Sequence, residues 1–460
     1  MREMRKQLWN SSLAGPLMAT LVAMSTPAFA KVGADEAAKL GKELTPIGAE
    51  KAGNKEGTIP AWTPQAQVAY KKGEYPSDAA LEAEKPLFTI TSAEVGKYGA
   101  LLTEGHKELF KRYPQTYKMI VYPSHRNFNF PAKVMEETVK NATRAELEGV
   151  DNPKGALIGF PFPIPKSGAE PVWNHRVKFR GETIRRYNNQ MIVQQNGKFT
   201  LTKIVEDVKF YYANINAKTE IELKPGADFL RYISETISPP RVAGTFILVH
   251  EKAGSGSEGR SAWLYAPALK RIRRAPAVCC DNPYEGTDGH QFYDQVDMYN
   301  GVLERFTWKL VGKKEMYIPY DSYRIAGPKT KYADIAKPNH VNPELPRYEL
   351  HRVWVVEADN KPDQRHTFKK RVMYFDEDSW NIVAIDDYDQ QGKLLQFQEG
   401  HPIQYRDVLA VTTQPEVIYH FDSGRYFVTA MNNEDKPYDN TVVLKDSDFE
   451  ADTVQKRTSK

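Results

Sequence analysis

From about residue 172 the chain settles into a two-residue rhythm in which polar side chains alternate with aromatic or β-branched ones. The stretches VWNHRVKFRGETIRRYN, QMIVQQNGKFTLTKIVEDVKFYYANI, RVAGTFILVHEK, RSAWLYAP, LKRIRRAP, ERFTWKLVGKKEMYIPYD, YELHRVWVVEA, FKKRVMYFDEDSWNIVAIDDYD and KLLQFQEG each read as strands. Asn196-Gly197, Asp376-Glu377-Asp378 and Gln391-Gly392 supply turns. Strands at such short intervals pair antiparallel, and the alternation predicts one apolar face and one wet face.

Upstream the rhythm is helical or absent. In residues 91–113, Val95, Tyr98, Leu101, Leu102, Leu109 and Phe110 fall near one helix face, with Thr91 or Ser92 as cap, Glu94 behind it and Pro114 as terminator. A second helix is expected over Ala132–Leu147, around Val134, Val139 and Ala142, and a short one over Asp35–Leu44. Gly48, Gly53, Gly57 and Pro60 then punctuate an extended arm. The expectation is an α+β, β-rich protein: a large antiparallel sheet whose apolar face is covered by the amphipathic helices, by closure into a barrel or by a ligand.

The first thirty residues belong to no such element. MREMRKQ is basic, LAGPLMATLVAMS is a short apolar stretch, and Ala28-Phe29-Ala30 puts small residues before Lys31. This is the pattern of a signal peptide cut after Ala30, and with lysine rather than cysteine at 31 the product is expected free in a Gram-negative periplasm. Residues 31–150 are then an N-terminal arm and helical region, 151–435 the β region, and 436–460 a polar tail that trails away. After Lys31 no apolar run reaches the roughly 20 residues of a spanning helix.

Composition adds limits. The chain has 460 residues, 41% hydrophobic and 27% charged, with net charge +4. Residues 1–30 carry Arg2, Arg5 and Lys6 against Glu3, which leaves the remainder at +2. So balanced a chain does not point to nucleic acid. The two cysteines are neighbours, Cys279-Cys280, with Cα atoms about 3.8 Å apart. A strained vicinal disulfide and two free thiols are both open; a bridge between distant segments of the chain is excluded. Such a pair closes almost no chain and is expected to be dispensable for stability.

Motifs for chemistry are few. GSGSEG at Gly254–Gly259 has the spacing of a dinucleotide loop, but RSAWLYAP follows it as a strand where a helix is required. Asp281, Glu285, Asp288, His290, Asp294 and Asp297 crowd one span without EF-hand spacing, and turn and cap chemistry is the simpler reading. No zinc spacing and no nucleophile elbow occurs. The sequence therefore names no catalytic residue, metal ligand or cofactor.

Two separated stretches, LTPIGAEKAGNKEGTIPAW (Leu44–Trp62) and WKLVGKKEMYIPYDSYRI (Trp308–Ile325), resemble signature segments of the domain of unknown function 1329 family. GRSAWLYAPALKRIRRAP resembles its central strand pair. The resemblance implies an exported protein similar to an enlarged Lol-type outer-membrane lipoprotein carrier, whose fold is a curved, half-open antiparallel barrel with a helical lid. It also implies trafficking of a hydrophobic molecule (a lipid, lipoprotein acyl chains or another compound), with an exporter of the resistance-nodulation-division type and an outer-membrane protein as partners, and peripheral membrane contact. On that reading Trp263 and Tyr265 would line a sheltered apolar face. Arg271, Arg273, Arg274, Lys314, Glu315 and Tyr317 would stand at its rim, with Glu315 paired to an arginine of KRIRR and Pro319 ending an edge strand. The alternatives are a solvated outer strand face for the cations, and an adaptor subunit with a filled core or a periplasmic hydrolase for the whole.

Overall fold

A computed structural model describes residues 31–219, 221–254, 259–275 and 279–458. The expected signal peptide, most of the Gly254–Gly259 loop and Pro276 lie outside the described residues.

Sixteen strands form one sheet. In chain order they are β1 Phe88–Ile90, β2 Met119–Val121, β3 Thr183–Tyr187, β4 Asn189–Val193, β5 Phe199–Phe210, β6 Asp228–Ser238, β7 Phe246–Lys252, β8 Arg260–Ala266, β9 Arg271–Arg274, β10 Phe306–Pro319, β11 Tyr348–Asn360, β12 Lys370–Asp376, β13 Ile382–Tyr388, β14 Leu394–Tyr405, β15 Ala410–His420 and β16 Tyr426–Met431. Strands β10 to β16 make a seven-stranded meander, and β16 pairs β4, which leads through β5, β6, β7 and β8 to β9. Pairing is antiparallel except for one parallel contact, Tyr348 with Val121. Among the described residues β9 and β10 do not pair, so the curved sheet stays open, as expected. The three turns fall where the sequence put them. At Asn196-Gly197, Gly197 has φ +82° and Gln194 N donates to Lys198 O at 2.8 Å.

The meander departs from the one-wet-face expectation. Residues of β13, β14 and β16 are buried almost without alternation. On one face Val355, Val383 and Phe397 pack with Ile90, Leu109 and Phe128 of the N-terminal region. On the other, Val356, Met373 and Ile385 pack with Phe162, Trp173 and Tyr299. The polar positions are buried too and meet partners rather than water: Gln398 donates to Asp387 at 2.7 Å, Arg371 to Asp294 at 2.8 Å and Tyr374 to Asp386 at 3.0 Å.

Helices of two turns or more are α1 Glu104–Arg112, α2 Ala132–Arg144, α3 Ala169–Arg176 and α4 Ala451–Thr458. The expected 91–113 helix is broken: Leu102 is extended and Thr103 starts α1 as its N-cap, accepting from His106 N. Asp386 reaches from the sheet to accept from Glu104 N and Gly105 N, and a Cβ on Gly105 would stand 2.0 Å from Phe397 Cδ2. The first helix shrinks to one turn, Ala34–Ala37. Residues 172–176, read as strand, are helical and end α3 (Ala169–Arg176). All eight residues of α3 are buried, so it shows no apolar stripe, and Pro171 sits in the first turn, where proline suits a helix. The C-terminal tail does not trail away: Leu444, Phe449 and Val454 are buried against Ile233, Phe246, Leu248 and Tyr265.

Candidate functional site: an arginine-rimmed apolar slot

Between β5, β6 and β7 on one side and residues 284–300 on the other lies a narrow slot of about 80 Å³ beneath an open mouth. Register fixes its lining. On β6 and β7, Leu230, Tyr232, Ile247, Val249 and Glu251 share the slot face, and Val208 and Phe210 continue it on β5. Tyr284, Tyr293, Val296 and Tyr299 close the far side.

Four arginines stand among these apolar groups, each held by an acid. Arg176, at the end of α3, reaches Asp151 (3.4 Å) and Glu251 (3.2 Å), with its guanidinium 4.5 Å from the Trp173 ring centre. Arg260 also binds Glu251 and donates to Asn300 O at 3.0 Å. Arg180 pairs with Asp297 and lies 4.4 Å over Phe210, while Arg186 pairs with Glu206. Nε of Arg176 and of Arg180 is buried without an acceptor.

Burial dominates the electrostatics here. It pushes the Lys178 ammonium, 2.8 Å from Asp297, down to about 8. Burial, then the Lys178 charge, lowers His175 to about 3. Burial and the neighbouring Asp297 raise Glu416 to about 7. Burial would raise Asp297 as well, but the Arg180 and Lys178 charges hold it below the usual carboxylate range.

The eight residues singled out from the sequence do not converge. Trp263 and Tyr265 point to the opposite face of β8, Tyr265 buried under the C-terminal segment and Trp263 against His250 at 5.0 Å between ring centres. Arg271, Arg273 and Arg274 are exposed on the edge strand β9. Lys314, Glu315 and Tyr317 lie on β10, at the sheet's other edge. Glu315 accepts from Asn54 Nδ2 at 3.1 Å instead of pairing with a KRIRR arginine, because among the described residues its strand pairs only β11 whereas the KRIRR strand pairs only β8. Tyr317 is buried against Phe88 and Tyr98. Pro319 does end β10, and β10 is an edge. The slot's own signal was in HRVKFRG, where Arg176, Lys178 and Arg180 alternate with Val177 and Phe179.

Other polar clusters are spoken for. The side-chain oxygens and nitrogens of His351, Asp376 and Asp378 come within 4.8 Å of one another. Yet Arg126 takes both Asp378 oxygens (2.7 and 2.9 Å), and Asp376 accepts from Ser379 Oγ (2.6 Å) and Asp378 N (3.2 Å), so both carboxylates are already engaged by the protein. Of the acidic span, Asp281 binds Thr367, Asp294 binds His366 and Arg371, and Asp297 binds Lys178, which is turn and ion-pair chemistry. Cys279 and Cys280 are free thiols. Hydrogen bonding with the Cys280 thiol, aided by Arg305 and Arg260, lowers Cys279 to about 7.

The open, β-rich sheet with its packed N-terminal cover places the chain among α+β proteins of half-barrel form. The chain belongs to the family described as protein of unknown function (DUF1329), whose model matches residues 89–455. An uncharacterized protein of Pseudomonas aeruginosa is 43% identical over 432 residues, covering 93% of this chain and 94% of its own. Among solved structures, a candidate outer membrane lipoprotein-sorting protein domain from Vibrio parahaemolyticus is similar over 63% of this chain and 98% of its own, at 16% identity and TM-score 0.42. A LolA superfamily protein from Nitrosomonas europaea is similar over 61% and 94%, at 12% identity and TM-score 0.36. The fold described above stands on its own strand pairing. Among the described residues, no helix is long and apolar enough to cross a membrane.

Proposed function

We propose that this protein carries an amphiphile through the periplasm, the apolar part lying in the slot. The observation that carries the reading is the slot itself: a continuous apolar wall from three strands, opposed by tyrosines, with the buried Arg176 and Arg180 Nε groups as open donors. Each methylene sheltered there is worth about 0.8 kcal/mol, so an acyl or similar chain is held without catalytic groups. An acidic head group suits the arginines. Delivery to or from the outer membrane, with a resistance-nodulation-division type exporter and an outer-membrane protein as partners, completes the proposal.

A second reading, an adaptor with a self-filled core, draws on one observation: the apolar face of the meander is packed by the protein's own residues. Titration with cis-parinaric acid separates the two. One saturable site of micromolar affinity, abolished when Val249→Trp fills the slot in a folded variant, is the carrier's result. Absence of saturable binding, or equal binding by Val249→Trp, overturns it and leaves the adaptor.

A further inference from the structure

Strands β6 and β7 are joined by a turn over residues 239–245, and β8 and β9 by Pro267–Leu269 and Lys270. The two turns touch: a Cβ on Gly244 would lie 3.3 Å from Pro267 Cγ. At this tip Ile237 is 42% and Leu269 45% exposed, two of the few large apolar side chains that stand in solvent among the described residues. Around them Arg241, Lys270, Arg271, Arg273 and Arg274 are all exposed, and none takes part in an ion pair or side-chain hydrogen bond among the described residues. No acid occurs in residues 237–245 or 266–274. Helix α4 packs beside β9 and adds the exposed Lys456 and Arg457, with Glu235 near Arg457 and Asp452 in the same helix as the acids closest to the tip. The slot arginines, by contrast, each hold an acid.

We infer that this cationic tip is a docking surface for an anionic lipid bilayer. Register places Arg271 and Arg273 on one face of β9 and Arg274 on the other. Charges splayed to both sides of an edge suit a broad, diffuse layer of phosphate head groups, whereas a shaped protein partner would meet them on one face. Leu269 in the β8–β9 turn and Ile237 near the end of β6 both stand in solvent, so they match a soft interface into which they can insert. Clustered cations beside exposed aliphatics are the usual combination for reversible binding to acidic lipid, with attraction that salt weakens. The slot-lining residues Ile247 and Val249 lie further along the same β7, so a protein docked by its tip holds the slot beside the membrane.

Vesicle co-sedimentation tests this at low salt, with phosphatidylglycerol–phosphatidylcholine against pure phosphatidylcholine. The protein is expected to pellet with the anionic vesicles alone and to be released by about 0.5 M salt. Combined Arg271→Glu, Arg273→Glu and Arg274→Glu should lower binding at least tenfold, and Leu269→Ser with Ile237→Ser several-fold. Melting curves and parinarate binding serve as controls for the fold and the slot, so loss of vesicle binding with the slot intact is read apart from failure of the carrier proposal. Should the triple reversal misfold, Arg271→Gln with Arg273→Gln carries the same test at about threefold. Equal pelleting with both vesicle types, no pelleting, or full binding by the variants overturns the inference. Binding to soluble polyglutamate but not to vesicles would overturn it in favour of an acidic protein partner.

Discussion

The seven-stranded meander and the flank from β5 to β9 were written with the same alternating pattern, yet they fold into different environments. In the meander, both faces are covered, and polar positions such as Arg371, Asp386 and Gln398 end in buried pairs. In the flank, one face opens on the slot, the other is covered only by the C-terminal segment, and β9 runs out into solvent with three exposed arginines among its four residues. Alternation sets which residues share a face. It does not say what covers the face, and a long helical or irregular insertion decides that. The meander is therefore the rigid frame, and the flank is where ligand and surface contacts are available.

The sharpest way to break this contrast is to disturb the frame. Arg126 is buried between Glu377 and Asp378 of the β12–β13 hairpin and also donates to Ala52 O and Pro60 O of the arm. Removing one partner from such a buried network costs about 3–5 kcal/mol, since the charges left behind remain dehydrated. Arg126→Met should lower the urea midpoint by that equivalent and loosen residues 44–62, read by hydrogen exchange. A change under about 1 kcal/mol would mean that the network is not what binds arm to sheet.

A smaller effect follows from pH. In the meander His351 is raised to about 9: burial would lower it, but Asp378 and Glu349 overcome that. Burial raises Asp376 and Asp387 to about 7 and Asp386 to about 6. Each of these groups binds its proton more tightly folded than unfolded. The histidine's contribution is complete below about 6.5 and disappears as pH rises through 9; the carboxyls' is complete below about 4 and disappears through 6 to 7. His175 and His420, lowered by burial to about 3 and 4, act the other way and lose stability only as pH falls below 6.5. Between pH 6.5 and 9 the His351 loss is opposed by Cys279, lowered to about 7, and above pH 8 by Lys178, lowered to about 8, so it is in the Cys279→Ser variant, between pH 6.5 and 8, that the urea midpoint should decline. A midpoint that is flat or rising over that window contradicts these assignments, and the His351 Cε1–H resonance shows directly whether the ring stays charged at pH 8.

Much of this was legible in the chain. Strand positions, the Asn196-Gly197 turn and the stop at Pro319 follow from local chemistry that does not depend on distant partners. The helix α3 was not, because a segment buried all round loses the periodicity by which helices are recognised. The site was half legible. Aromatic groups and arginines do meet, but they are Tyr232, Tyr284, Arg176 and Arg180, not Trp263, Tyr265 and the KRIRR cations. Parity along β8 separated Trp263 from Ala262 and Leu264; only the tertiary placement of residues 284–300 and of the tail could say which of the two faces holds the slot.

The smallest expected effect compares the two edges of the sheet. Edge β9 pairs no further strand among the described residues and has only α4 beside it, whereas β10 is closed by the arm, and Glu315 is one of the closures through Asn54 Nδ2 at 3.1 Å. The same amide also donates to Thr58 Oγ1 at 2.8 Å, and Asn54 Oδ1 accepts from Ile59 N at 2.9 Å, so the arm turn holds its shape without Glu315. Neighbouring Lys313 is anchored separately on Glu377 at 2.8 Å. Glu315→Gln keeps an acceptor oxygen in place and removes only a charge from a half-buried contact, a change worth under about 1 kcal/mol. Its melting temperature should stay within a degree or two of the parent. Because Glu315 meets the arm and lines neither the slot nor the cationic tip, parinarate and vesicle binding should both be unchanged. A variant that melts normally but binds either probe several-fold more weakly would tie the β10 edge to ligand handling, and the division between a closed frame and a working flank would have to be redrawn.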